Sequence, residues 1–359
     1  MASSAAASAS ASAGLGGDIL WVELCRPQAA AGEKDEKAAA EEGQAKPAWR
    51  LESCGGEPDS LALWSAAAAA ATAAEGQDGG RAPRRQPLYS RLIDLQMRAA
   101  APGGSAILVS QMSSADNASE PRPPAVAVGV IDSGYRGRLR AIVWTPRLTI
   151  GPPRAPPGLA LRLTLVRLAA AAPRMAAGPP PGARNPPPAA TPLGPGFAAR
   201  REEDAGHDII MPCGTAVAPG EDIVVQLPAV RAAADESEED AEGVYPYVFG
   251  RSSCNLRGLV VLPTAWPPGR PCRFVLRNVT GAGMYVEAGQ RVAQLLLLTR
   301  RLEWLPRGFN AREPFPRSPR AAPPAAEAPP GLRWRCVPDL DAVAPPSARG
   351  ADGFGSTGL

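Results

Sequence analysis

Between Val128 and Trp144 the chain reads Val-Gly-Val-Ile-Asp-Ser-Gly-Tyr-Arg-Gly-Arg-Leu-Arg-Ala-Ile-Val-Trp, a pattern that commits this region to β-structure. Val126, Val128 and Val130 alternate on the way in, and Leu139, Ala141 and Val143 on the way out. A period of two puts each set on one face of a strand. Gly134 and Gly137 suit the bend between them, because glycine accepts positive φ. The expectation is a β-hairpin with Asp132 at its turn, beside Tyr135 and Arg136. Two readings of Asp132 stand. It caps the turn, as aspartate often does, or it is a carboxylate presented at the mouth of a pocket.

Composition narrows the chemistry. A formal charge of +3 on 359 residues gives no reason to expect a nucleic-acid binder. With 42 Pro and 37 Gly, the folded part must be well short of the full length. Aromatics make up only 5%, so the core rests on Val, Leu and Ile. Cys25, Cys54, Cys213, Cys254, Cys272 and Cys336 form no C-x-x-C pair, which favours buried, reduced thiols over a zinc ribbon or a disulfide framework. No run reaches the ~18 apolar residues of a membrane span. The Ala/Ser-rich start lacks the marks of a signal peptide. Intracellular residence, in nucleus or cytoplasm, is the expectation. His207 is the single histidine, so general acid/base work falls by default on carboxylates.

The chain divides by composition. Residues 1–17 read as a disordered N-terminus. A first β-rich unit spans 18–168, with strands expected at Asp18–Cys25, 49–51, 61–64, Leu92–Met97, Ala106–Val109 and Leu159–Leu168 around the 128–144 stretch. Residues 169–200 form a Pro-rich linker, extended and poor in core residues. A second β-rich unit spans 201–300, with strands at Asp208–Met211, Ile223–Leu227, Tyr247–Phe249, Leu259–Leu262, Arg273–Arg277 and Val292–Leu298. The acidic run Asp235–Glu242 reads as a solvated loop. Residues 301–345 are again Pro-rich and irregular, and 346–359 form a glycine-rich tail.

The two units echo one another. Gly137–Val143 resembles Gly269–Val275, and Leu159–Leu165 resembles Val292–Leu298. Ile93-Asp94-Leu95 resembles His207-Asp208-Ile209. These matches suggest a duplicated β-unit in which Asp132 falls on Thr264, so the carboxylate exists in only one half.

The tail Gly353-Phe354-Gly355-Ser356-Thr357-Gly358, with Arg349 before it, lets backbone N–H groups wrap a polyanion. Its hydroxyls and guanidinium add donors, and Phe354 offers a flat face. A disordered terminus is the competing reading. At this point the chain resembles the deoxyuridine triphosphatase (dUTPase) family, in the single-chain form of herpesviruses and most closely the alphaherpesvirus type. The resemblance covers residues 88–359 and rests on five motifs. The family's third motif is Gly129–Gly137 and comes first in this chain, an order peculiar to the herpesvirus branch. The first is Ala205–Ile209, the second Gly250–Ser253 continuing to Gly258, the fourth Gly289–Leu295 and the fifth the tail.

The resemblance implies hydrolysis of dUTP to dUMP and pyrophosphate by water attack on the α-phosphorus. Asp132 would be the general base, with Gln294 holding the water or the α-phosphate. Tyr135 would pack under the deoxyribose and exclude a 2′-hydroxyl, while backbone groups of the Gly137 turn read the uracil edge. Arg251, Ser252 and Ser253 would bind phosphates. Arg349, Phe354, Gly355, Ser356 and Thr357 would close over the nucleotide as a lid. Mg²⁺ is the implied cofactor, chelated chiefly by the phosphates and touched by Asp208 through water, with Arg291 supporting Asp208. Two departures are visible: His207 stands where the family has Tyr or Phe, and Gly134 replaces the second acid of the cellular Asp-x-Asp-Tyr pattern.

The implied architecture is mainly all-β: two dUTPase-like β-barrel or jelly-roll domains in one chain, forming one active site between them. Such a chain is expected to be a monomer with dUTP as its partner, no nucleic acid and no membrane. Two other readings are a dUTPase-like protein without catalysis that binds host proteins, and a related dCTP deaminase. The deaminases lack the Phe-Gly-Ser-Thr lid, and a dead site has no need of intact motifs.

Overall fold

The computed structural model describes residues 19–24, 49–53, 60–65, 87–112, 125–145, 159–169, 175–176, 197, 204–232, 244–266, 271–302, 333–344, 346–347 and 350–351. In the first half the strands are β1 (Ile19–Leu24), β2 (Trp49–Ser53), β3 (Ser60–Ser65), β4 (Tyr89–Ala100), β5 (Ser105–Gln111), β6 (Ala125–Val126), β7 (Gly129–Asp132), β8 (Arg138–Thr145) and β9 (Ala160–Arg167). Then come β10 (Met175–Ala176), β11 (His207–Ile210), β12 (Thr215–Val217), β13 (Asp222–Ala232) and β14 (Tyr245–Gly250). A short helix α1 (Ser252–Arg257) precedes β15 (Leu259–Val261), β16 (Thr264–Ala265), β17 (Pro271–Asn278), β18 (Met284–Val286), β19 (Arg291–Leu298) and β20 (Arg333–Cys336). The protein is mainly all-β, as its period-two runs require.

Two sheets make the first half, in the orders β20-β1-β4-β8-β6 and β2-β3-β9-β5-β7. Two more make the second half, β10-β13-β17-β15 and β11-β19-β14-β16, and β12 pairs with β18 beside them. Without β20 and β2, the orders of the first half are repeated strand for strand in the second. The equivalences β8 with β17 and β9 with β19 match two of the three sequence echoes. The third echo is corrected: β4 corresponds to β13, and β11 corresponds to β3, so Ile93–Leu95 and His207–Ile209 are not equivalent. Short apolar triplets recur in any β-rich chain, and this one had no spacing to anchor it. Thr264 does occupy the strand equivalent to that of Asp132. It is fully buried and donates to the Leu262 carbonyl (2.7 Å), an inert counterpart.

Each half has its own core between its two sheets. Ile93, Leu95, Leu139 and Val143 meet Leu61, Leu63, Ile107 and Leu163 in the first. Val225, Phe274 and Leu276 meet Ile209, Val248 and Leu295 in the second. The strands of the two facing sheets are buried on both sides. In β5, Ile107 and Val109 point into their own core, whereas Ala106 and Leu108 join Tyr247, Phe249, Leu296 and Leu298 across the halves. This is why β5 and β19 read as nearly continuous apolar runs rather than alternating ones. Main-chain bonds seal the seam: Ala169 N–H to Leu297 O (2.8 Å) and Thr299 N–H to Arg167 O (3.1 Å).

Four expectations change. First, 128–144 is not a hairpin. β7 pairs with β5, whereas β8 pairs with β4 and β6, so residues 133–137 cross from one sheet to the other. Alternation identifies strands, but not their neighbours. Second, the linker 169–200 contributes to the core. Phe197 is buried, bridges to Ile209 and stacks on Trp266 at 6.2 Å between ring centroids. Third, the irregular stretch 301–345 contains β20, which pairs in parallel with β1. A four-residue strand amid prolines carries too little pattern to read. Fourth, of the described cysteines Cys254 and Cys272 are buried, but Cys213 and Cys336 are exposed. The expectations for residues 1–17, the acidic run 235–242, Cys25 and Cys54 lie outside the described residues.

Candidate functional site

Asp132 ends β7 at the seam between the halves. Its Oδ1 accepts a hydrogen bond from the Ala205 N–H at 2.6 Å, a short, charge-assisted contact that fixes the carboxylate. Ala205 immediately precedes the stretch that leads into β11, so this one bond joins the first and third motifs across 73 positions of sequence. The crossing turn is held by its own groups. Tyr135 N–H donates to the Asp132 carbonyl (3.1 Å), and Arg136 Nη1 donates to the carbonyls of Ser133 (2.6 Å) and Tyr135 (3.0 Å).

Tyr135 is 8% exposed, packed in the first core, with its hydroxyl on the Arg138 carbonyl (2.9 Å). That packing explains Gly137. It is not at positive φ, contrary to the expectation. Its role is spatial: a Cβ there would lie 2.5 Å from Tyr135 Oη and 2.7 Å from Cζ. Gly137→Ala is therefore expected to cost about 1–3 kcal/mol through overpacking. Urea unfolding checks this, as a lower midpoint at unchanged m-value.

Splaying β7 and β8 into different sheets has a structural consequence. β7 is the last strand of its sheet, and β6 pairs with β8 only at Val143 and Trp144. Between these two strand edges lies a small pocket of about 10 Å³ lined by Val109, Gly129, Ile131, Arg140, Ile142 and Ser252.

The second half holds a polar cluster of its own. Asp208 in β11 lies across from Gln294 in β19, and Gln294 pairs in turn with Phe249 in β14. Gln294 Nε2 donates to the Gly250 carbonyl (3.0 Å), tying the fourth motif to the start of the second. Asp208 is gripped by two guanidinia. Arg251 Nε lies 2.9 Å from Oδ1, and Arg291 Nη1 lies 3.3 Å from Oδ2. The pairing of Arg291 with Asp208 was expected; that of Arg251 was not. Arg251 is the more buried, at 11% side-chain exposure against 41% for Arg291. Burial pushes the Asp208 carboxyl above the usual carboxylate range, while Arg251 and Arg291 pull it down and Asp204 adds to the rise. Ser252 and Ser253 open α1, half-buried beside Arg251.

The segment before the tail docks on the Asp132 turn. Ser347 donates to the Gly134 carbonyl, and Arg136 N–H donates to the Gly350 carbonyl (2.7 Å). Arg98 clasps this arrangement from below. It donates to the Arg136 carbonyl (2.8 Å) and pairs with Glu23 (3.1 Å) and Asp341 (2.6 Å). A bulge in β4 between Asp94 and Arg98 aims it, with Gln96 at φ 53 and its N–H on Asp94 Oδ1 (2.7 Å). Arg349 and the tail residues Phe354, Gly355, Ser356 and Thr357 lie outside the described residues.

The structure joins Asp132 to Ala205 of the other half, links Asp208 with Arg251 and Arg291 and Gln294 with Gly250, and sets Ser252 beside Gly129. Sequence reasoning missed Arg98, Ser347 and the Ala205 N–H. Nothing local marks them; they matter through partners distant in sequence.

Comparison with known proteins gives a consistent result. A family model described as dUTPase matches residues 195–307. That span holds the first, second and fourth motifs, and the displaced third motif falls outside it. The chain is 37% identical over 288 residues to the deoxyuridine 5'-triphosphate nucleotidohydrolase of Equine herpesvirus 1 (strain Ab4p), covering 76% of this chain and 84% of that protein. It is 38% identical over 287 residues to the protein of that name from Suid herpesvirus 1 (strain Kaplan), covering 79% and 87%. It is 35% identical over 290 residues to that from Human herpesvirus 2 (strain HG52), covering 66% and 76%.

Proposed function

The chain belongs to the dUTPase family, and from that premise we propose that it is a dUTP diphosphatase that splits dUTP into dUMP and pyrophosphate at the seam between its halves. The observation that carries the reading is the Ala205 N–H to Asp132 bond, which joins the turn carboxylate of the third motif to the first motif in the other half.

Water attacks the α-phosphorus. Asp132 accepts the water's proton as the P–O bond to the β-phosphate breaks and pyrophosphate leaves. One carboxylate suffices, because a loose phosphoryl transition state needs the water oriented more than ionised. Gln294, anchored on the Gly250 carbonyl, helps place the water or the α-phosphate. Arg251, its plane set by Asp208, and the hydroxyls of Ser252 and Ser253 take the charge that grows on the leaving oxygen. In this reading backbone groups of the third motif read the edge of uracil, and a narrow pocket excludes the thymine methyl. In this reading Tyr135 packs under the deoxyribose and excludes a 2′-hydroxyl.

A divalent ion fits this site in a limited way. Among the described residues no group of three or more His, Cys, Asp or Glu could hold a metal alone. Both Asp208 oxygens already face arginines, which suits contact through water rather than direct ligation. Mg²⁺, carried by the triphosphate, would neutralise phosphate charge, with Asp208 steadying its water shell. The direct test is incubation with dUTP, dCTP and Mg²⁺. Pyrophosphate and dUMP from dUTP alone are expected, and no dUTP turnover would leave a non-catalytic binding protein. Since each half already buries its facing sheet against the other, we also expect a monomer. Light scattering reporting a trimeric mass would contradict this.

A further inference from the structure

We propose that Arg98 is a positioning residue for the reaction: it fixes the far end of the Asp132 turn and thereby sets where that carboxylate stands. The proposal rests on the reading of Asp132 as the general base. Residues 133–137 cross between sheets, outside the ladders of β7 and β8, so their backbone groups need other partners. Each carbonyl from Asp132 to Arg136 accepts a hydrogen bond. The donors to Asp132, Ser133 and Tyr135 are Tyr135 N–H and Arg136 Nη1, which belong to the turn itself. The other two come from outside it. Ser347 donates to the Gly134 carbonyl, and Arg98 Nε donates to that of Arg136 at 2.8 Å. Ser347 lies in the C-terminal segment, whereas Arg98 stands on β4, the central strand of its sheet.

Two carboxylates aim the guanidinium. Nη1 donates to Glu23 Oε2 at 3.1 Å, and Nη1 and Nη2 take both oxygens of Asp341 at 3.0 and 2.6 Å. The fork is planar, so holding Nη1 and Nη2 fixes the direction of Nε toward Arg136. Hydrogen bonding from Arg98 holds the Asp341 carboxyl below its usual range, which keeps it ionised. The Asp341 side chain is 67% exposed, and an ion pair so exposed adds little stability. Direction rather than stability therefore explains the bidentate pair. Glu23 Oε2 also accepts the Leu340 N–H at 2.9 Å, so the group that aims Arg98 also holds the segment leading to Ser347.

The test uses the full chain with Arg98→Ala and Arg98→Lys. It reads kcat at saturating dUTP and Mg²⁺, and the unfolding midpoint of each variant, with turnover measured where both are folded. Arg98→Ala is expected to lower kcat about 10- to 10²-fold, as a displaced reacting group does. Arg98→Lys keeps a charge between Glu23 and Asp341 but has no rigid fork to reach Arg136. It is expected to restore the midpoint and not kcat, a split that a merely structural arginine would not give. A kcat near that of the wild type in either variant, or one that follows the midpoint across both, overturns the proposal. If the alanine variant does not fold, the lysine variant decides: a fall in kcat at an unchanged midpoint supports the proposal, and any other result overturns it. Turnover of dUTP by the wild type tests the functional reading itself, so the two fail separately.

Discussion

Asp132→Asn is expected to lower dUTP turnover by about 10²–10⁴-fold, the range over which a positioned general base acts. The substitution is diagnostic because it changes little else. An asparagine carbonyl can still accept the Ala205 N–H, so the bond between the halves survives. The turn is held by Tyr135 N–H and by Arg136, neither of which depends on the charge of Asp132. Nucleotide binding and the unfolding midpoint should therefore stay near those of the parent, while kcat falls. Rapid-quench assays of dUMP formation alongside dUMP titration separate the two quantities. Near-normal turnover would refute the assignment of the base and return Asp132 to the role of a turn cap.

Removal of residues 353–359 is the second large effect. The chain before them is already fastened at the site: Ser347 on Gly134, Gly350 on Arg136, and Leu340 fully buried with its N–H on Glu23 (2.9 Å). The described chain thus ends, at residues 350–351, beside the Asp132 turn. Loss of the tail should cost at least about 10²-fold in kcat/KM, since a closing segment acts by positioning and by excluding water. The β-core lies wholly upstream, so circular dichroism and thermal unfolding should not change. A truncated chain that turns over dUTP normally would remove the lid from the mechanism.

Much of this protein was legible before its structure. The runs at Leu92–Met97, Ala106–Val109 and Leu159–Leu168 became β4, β5 and β9, because alternating or short continuous apolar runs record burial on one face or on both. The motifs singled out Asp132, Arg251 and Gln294 as candidates, and the expected pairing of Arg291 with Asp208 is present. The hairpin did not survive. Alternation in 128–144 is equally compatible with two strands that pair with each other and two that pair elsewhere. Arg98 was invisible for a related reason: a charged residue in a strand acquires meaning only when a bulge turns it toward Arg136, Glu23 and Asp341.

By itself the sequence determined that the chain is β-rich, and it suggested a duplication in which one turn carboxylate lacks a twin, on three echoes of which the strand orders match two. These are local facts of pattern and residue type. The tertiary structure decided which strands are neighbours, and so turned the supposed hairpin into a crossing with a small pocket between two strand edges. It also decided that Asp132 is oriented by a backbone N–H from the other half. Both depend on contacts between residues far apart in the chain, where strand pairing and packing across the seam, rather than local preference, select the arrangement.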